Sequence, residues 1–181
     1  MSSLSKGNES NITKKIELMI KVITRTDTYL NSANTKSTIL LSLASALIVA
    51  LIVNFKYVTA LVNEGSDRSF VSFLLLLVII LLIASIVFSL RGISPYLMPS
   101  VQKNTFSFVD IIKGYESLAH YKKSFTTTSE RDFLNQLISL NYNLSKALIG
   151  KYERQIWAIT FIEAAAYVSG FSIYIIILAN N

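Results

Sequence analysis

Among the residues able to do chemistry, Glu163 is the one most at odds with its neighbours, standing among Ile156, Phe161, Ala164 and Ala166 in an apolar run over 156–178. A carboxylate within a bilayer costs about 2.5–3.5 kcal/mol, so an acid at membrane depth is a functional candidate by default. It can line a pore or polar seam when copies assemble. It can equally be hydrated near the interface, or protonated and bonded to a neighbouring hydroxyl. Ala164, Ala165, Ala166, Ser169 and Gly170 beside it form a small-residue patch that lets another helix approach closely. A second constellation is cationic and aromatic. Lys36, Arg91, Lys151 and Arg154 each border an apolar run, with Tyr29, Tyr96, Tyr142 and Tyr152 nearby in the chain. Such a set can hold a phosphate and stack a base. Read from the residues alone, positive-inside anchors with interfacial aromatics are the simpler account.

Other chemistry is sparse. One histidine, His120, and no cysteine are present, and metal-ligand spacing, a glycine-rich phosphate loop and a serine elbow are missing. The expectation is a protein that is not an enzyme, with no metal or cofactor.

The element that must position these residues runs over 129–178. Phe133, Leu137, Leu140, Leu144 and Leu148 recur at the three-and-four spacing of an amphipathic helix, and from Ile156 the segment is apolar all round. Lys151, Arg154 and Trp157 mark a membrane boundary between the halves. As one helix of about 50 residues it measures roughly 75 Å, against a hydrocarbon core of roughly 30 Å. More than half of it must stand in water.

Composition agrees. With 52% hydrophobic and 15% charged residues in 181, the chain is too apolar for an ordinary soluble domain. The net charge of +6 is a matter of topology rather than of nucleic acid binding: six Lys and Arg precede the first span, two lie in the first loop, nine lie between Arg91 and Arg154, and none follow the last span. That asymmetry places the N-terminus and the middle segment in the cytoplasm. A polar, helix-like segment ahead of the first apolar run argues for a retained span, not a cleaved signal peptide.

Taken in order, residues 1–10 are expected to be disordered. An amphipathic helix over 11–37, capped by Asn11, carries Ile12, Ile16, Met19, Ile23 and Leu30 and suits packing on the C-terminal helix better than lying on the bilayer. A first span over 38–53, extendable to 62, and a second over 70–90 form a hairpin through a turn at 63–68. Arg91, Gly92, Pro95 and Pro99 end the second span. Within the cytoplasmic region over 91–155, a further helix is expected over 105–121, weakened at Gly114, before Thr126 to Ser129 cap the long helix. The fold class is thus an all-α membrane protein with three transmembrane helices, cytoplasmic amphipathic helices, and a last helix continuous with the third span.

Two short runs carry a family resemblance. Arg25-x-Asp27-x-Tyr29 followed by Ala33-Asn34-Thr35-Lys36-Ser37 and a span resembles the start of the Pycsar transmembrane effector domain, as do Asn141-Tyr142-x-Leu144-Ser145 with Lys151-Tyr152 before the last span and the Arg91-x-x-x-Pro95 exit. Asn34 and Asn141 stand where that family commonly has an acid. The resemblance implies an antiphage effector in the bacterial inner membrane, paired with a pyrimidine cyclase and answering to cyclic CMP or cyclic UMP by impairing that membrane as a homo-oligomer. Ligand sensing then falls to Arg25, Asp27, Lys36, Tyr142, Lys151 and Tyr152, and a pore or gating role to Glu163. The alternative is a non-catalytic membrane-anchored scaffold that recruits a partner through its cytoplasmic helices.

Overall fold

The computed structural model describes the backbone of residues 2–63, 65–100 and 104–180, and side chains from Asn11 onward within those ranges. The expected disorder over 1–10 lies outside the described side chains. Among the described residues five helices follow in order: α1 (Ser2–Thr59), α2 (Ser66–Ile93), α3 (Phe108–Gly114), α4 (Leu118–Thr127) and α5 (Glu130–Ala179). The protein is 87% helical, no strand occurs among the described residues, and three helices are long and apolar enough to cross a membrane.

Several boundaries differ from the sequence expectation. The amphipathic segment over 11–37 and the first span are one helix, α1, with Asn11 inside it instead of capping it. The break after the first span falls at residues 60–65, and Asp67 and Arg68 already belong to α2. Gly65 makes that break, because its φ of 146° is a conformation that side-chain-bearing residues rarely adopt. Asp67 in the first turn then suits the positive end of the helix dipole. The helix expected over 105–121 is two helices. Ser107 Oγ accepts from Asp110 N and Ser117 Oγ accepts from His120 N, so each serine opens a new helix on either side of Gly114. Thr126 and Thr127 end α4 by bonding back to Lys122 O and Lys123 O, which leaves Ser129 to cap α5 by accepting from Asp132 N at 3.2 Å.

The chain forms two compact units. The first comprises Met1–Ser32 and Pro95–Ile149, and the second Ala33–Ser94 and Gly150–Asn181. In the first unit the N-terminal part of α1 packs with α5, where Thr26 Oγ1 lies 3.1 Å from Asn141 Oδ1. Polar side chains stitch the irregular segment there: Asn104 Nδ2 donates to Gln136 O at 2.7 Å, while Thr105 N and Oγ1 both donate to Gln136 Oε1. Phe106, Tyr121, Phe125 and Phe133 stack edge-on or tilted around that seam.

The second unit is built on a different plan. Among the buried positions of α2, Val71, Leu75, Val78, Leu82, Ser85, Ser89 and Gly92 alternate four and three residues apart as in a coiled-coil seam, with Leu74 buried beside them. Facing them are Ala33, Ser37 and Ala44 of α1 and Ala158, Ala165 and Ser172 of α5. Small residues inside let the helix backbones approach. Large ones point out: Ile39, Leu47, Val53, Phe73, Leu76, Ile80, Ile159 and Ile177 are exposed. Water would not tolerate that arrangement, and lipid rewards it. Phe88, Trp157 and Phe161 stack together, with the Arg91 guanidinium over Phe88 at 5.9 Å, as suits a membrane–water interface.

Candidate functional site

In the second unit the cations converge on the end of α2. The last carbonyls of a helix have no partner within it and carry its negative dipole end. Lys151 supplies what they lack. It is only 5% exposed, and its Nζ donates to Gly92 O at 2.7 Å, Ser94 O at 3.1 Å, Ile93 O at 3.4 Å and Asn34 Oδ1 at 2.9 Å. All four acceptors are neutral. Burial, and then the neighbouring Arg154 charge, lowers the Lys151 ammonium below its usual range. Arg154 Nη1 meanwhile donates to Arg91 O at 3.0 Å. One turn beyond Lys151, the buried Gln155 Nε2 donates to Ala33 O and to Ser37 Oγ. The backbones are close here, since a Cβ on Gly92 would lie 2.6 Å from Ser37 Oγ. This cluster is a structural clamp on three helices.

The structure therefore divides the cation set read from sequence. Lys151 and Arg154 are engaged with the α2 end, Tyr152 is half-buried, and Lys36 is exposed on α1. Arg25, Asp27 and Tyr142 belong to the first unit. Arg25 Nε donates to Tyr29 Oη at 2.8 Å and its guanidinium covers that ring, while Lys146 sits over the Tyr142 ring at 5.1 Å. Glu163 is exposed on the outer face of α5. Close by, Ala165, Ala166, Ser169 and Gly170 line an apolar groove of about 380 Å³ with Leu47, Leu51 and Ile173, and Ala165 also packs against Ala44, Val78 and Leu82.

Asp27 is the expected site residue that borders a cavity. The first unit encloses about 230 Å³ between Ile23 and Asp27 of α1, Tyr96, Met98 and Ser100 of the chain after α2, the run over 106–109, and Leu140, Asn143 and Leu144 of α5. Partial burial there raises the Asp27 carboxyl above its ordinary value. Asn143 Nδ2 donates to Ser100 Oγ at 2.7 Å, and Ser100 N donates to Asp110 Oδ1 at 2.9 Å. Asp110 is 4% exposed, and its Oδ2 finds no partner among the described residues. No cluster of metal-ligating side chains occurs among them either.

Sequence reasoning missed Gln155 and Asn143. Gln155 had a readable signal, since it follows Lys151 by four residues and shares its helix face. Asn143 had none, because its partner Ser100 is 43 residues away.

No solved structure matches this chain. A curated relative does: the chain is 30% identical over 138 residues to the Pycsar effector protein EcPycTM of Escherichia coli, covering 73% of this chain and 74% of that protein. The family model described as the Pycsar effector protein domain matches residues 18–179, which takes in α1 from residue 18 onward, α2, α5 and the Lys151 clamp. The protein is a membrane protein of the Pycsar effector family.

Proposed function

We propose that this protein is the membrane effector of a cyclic-nucleotide antiphage defence system. Its signal is cyclic CMP or cyclic UMP made by a partner cyclase, and its output is loss of inner-membrane integrity. The first unit is cytoplasmic, and the active form is a homo-oligomer, because three spans per chain cannot readily enclose an aqueous path. One observation carries the reading: α1 and α5 each supply residues to both compact units, one holding a cavity bordered by Asp27, Ser100 and Asn143 and the other the apolar spans. Helices shared in this way allow a ligand that prefers one packing of the first unit to bias the second. Glu163, exposed in the last span, is the residue assigned to the conducting path or its gate.

The test is dye and ion leakage from liposomes containing the full chain, with cyclic CMP or cyclic UMP added and cyclic AMP as control. A pyrimidine nucleotide should trigger leakage. Glu163→Leu should insert normally yet leak at least about tenfold less, whereas undiminished leakage would remove Glu163 from the path. No leakage with any nucleotide from correctly inserted protein would favour the membrane-anchored scaffold instead.

A further inference from the structure

We infer that the cavity of the first unit is a nucleobase site in which the Asp27 carboxyl accepts from the exocyclic amino group of a cytosine. The inference rests on the proposed sensing function and assigns it a place. A volume of about 230 Å³ lies below the roughly 300–1,000 Å³ of sites that enclose drug-sized ligands, and suits one small ring better than a whole nucleotide.

The lining has the two parts that base recognition uses, flat apolar faces and a few polar groups at the ring edge. Tyr96, Phe106 and Phe108 supply rings, and Phe108 is 67% exposed, a large apolar surface left for something to cover. Ser100, Asn143 and Asp27 supply polar groups. Their hydrogen-bond state matters. Asn143 Nδ2 gives one of its two N–H groups to Ser100 Oγ, so Asn143 keeps a second N–H and its carbonyl oxygen, and Ser100 keeps its own O–H to donate. Asp27 adds a carboxylate, and behind the wall Asp110 holds Ser100 N with one oxygen while its other is unmet. Among the described lining residues Asp27 is the one charged group, and the polar groups beside it offer both donors and acceptors.

An anionic phosphate is the wrong ligand for such a wall, and the amino edge of a base is the right one. A carboxylate is the usual acceptor for the cytosine N4 amino group, where uracil presents a carbonyl oxygen that would face it unfavourably. The cyclic phosphate is left in solvent at the mouth. The site therefore reads the base.

The experiment is calorimetric titration of the full chain in nanodiscs with cyclic CMP, cyclic UMP, cyclic AMP and phosphate-free cytidine. Wild type should prefer cyclic CMP to cyclic UMP by about tenfold or more, and cytidine should compete for the site. Asp27→Ala should weaken cyclic CMP by about tenfold or more and Phe108→Ala by a comparable factor. Lys122→Ala, an exposed charge change in the same unit, should bind as wild type does. Thermal unfolding no lower than that of wild type certifies each variant, and Asp27→Asn, which keeps an acceptor, should recover part of the loss. If wild type binds a pyrimidine nucleotide and both Asp27→Ala and Phe108→Ala bind it equally well, the cavity assignment is overturned while the sensing function stands. A preference for cyclic UMP overturns the role given to Asp27. Absence of binding by folded wild type to every nucleotide overturns direct sensing and this site together.

Discussion

Each unit buries a charge, and each does so differently. In the second unit Lys151 meets four oxygens at the end of α2, so its donors are taken up in holding helices together. In the first unit Asp110 meets Ser100 N with one oxygen, and its other oxygen finds no partner among the described residues. The same contrast runs through the packing. The second unit interlocks small residues at heptad spacing, whereas the first is held by amide and hydroxyl contacts across irregular chain. A charge whose bonding capacity is filled belongs to architecture.

The largest test of this contrast removes the clamp. Lys151→Met keeps the stem but leaves the α2 carbonyls and Asn34 without their donor, and should destabilise the protein by about 2–4 kcal/mol, read as a lowered unfolding midpoint in micelles. Lys151→Arg should not restore it, because a planar fork cannot reach four oxygens arranged around a point charge. A Lys151→Met protein of unaltered stability that had lost only its nucleotide response would reverse the contrast and make Lys151 a sensor. Asn34→Asp would supply the acid that resembling sequences carry, and is expected to offset burial of the ammonium with a gain of about 1 kcal/mol.

A smaller effect is expected where α1 and α2 touch. Gly92→Ala places a methyl against Ser37 Oγ and should cost about 1–3 kcal/mol. Ser37→Ala removes that oxygen, so the double variant should recover part of the loss, and additivity of the two single costs would show that the approach is not the cause.

The smallest effect concerns Asp27. Its carboxyl is raised above the ordinary 3.8, so ionising it costs the folded state relative to the unfolded chain. That cost is present above the raised value and vanishes below the ordinary one. Asp27→Asn should therefore stabilise the protein at pH 7 by less than about 1 kcal/mol, a small figure because solvent screens the group, and the advantage should fade as pH drops toward 3.8. Equal gains at pH 7 and pH 3.5 in unfolding scans would exclude burial as its origin.

Much of the fold was legible because the bilayer imposes a simple demand. Runs such as 70–90 contain no charge, and only a helix satisfies its own backbone in lipid. The passage of α5 from an amphipathic half to an apolar one followed from period and boundary residues. Continuity of α1 through Ser37 was harder to read, because a change in composition does not by itself say whether a helix stops. The break between α3 and α4 turned on whether Ser107 and Ser117 cap or merely occupy helix, and serine permits both.

The amino-acid sequence by itself determined the membrane class, the three apolar helices, the candidate residues and, through its short motifs, the family. These rest on local properties: hydropathy, spacing and charge bias act along the chain and need no partner. Only the tertiary structure decided what each candidate touches. Lys151 and Lys36 are both interface lysines in sequence, yet one is buried on Gly92 O and the other is exposed. The cavity at Asp27 needs α1, the chain after α2, the run over 106–109 and α5 at once. Such placements depend on contacts between segments far apart in the chain, and no local pattern encodes which distant backbone a side chain will meet.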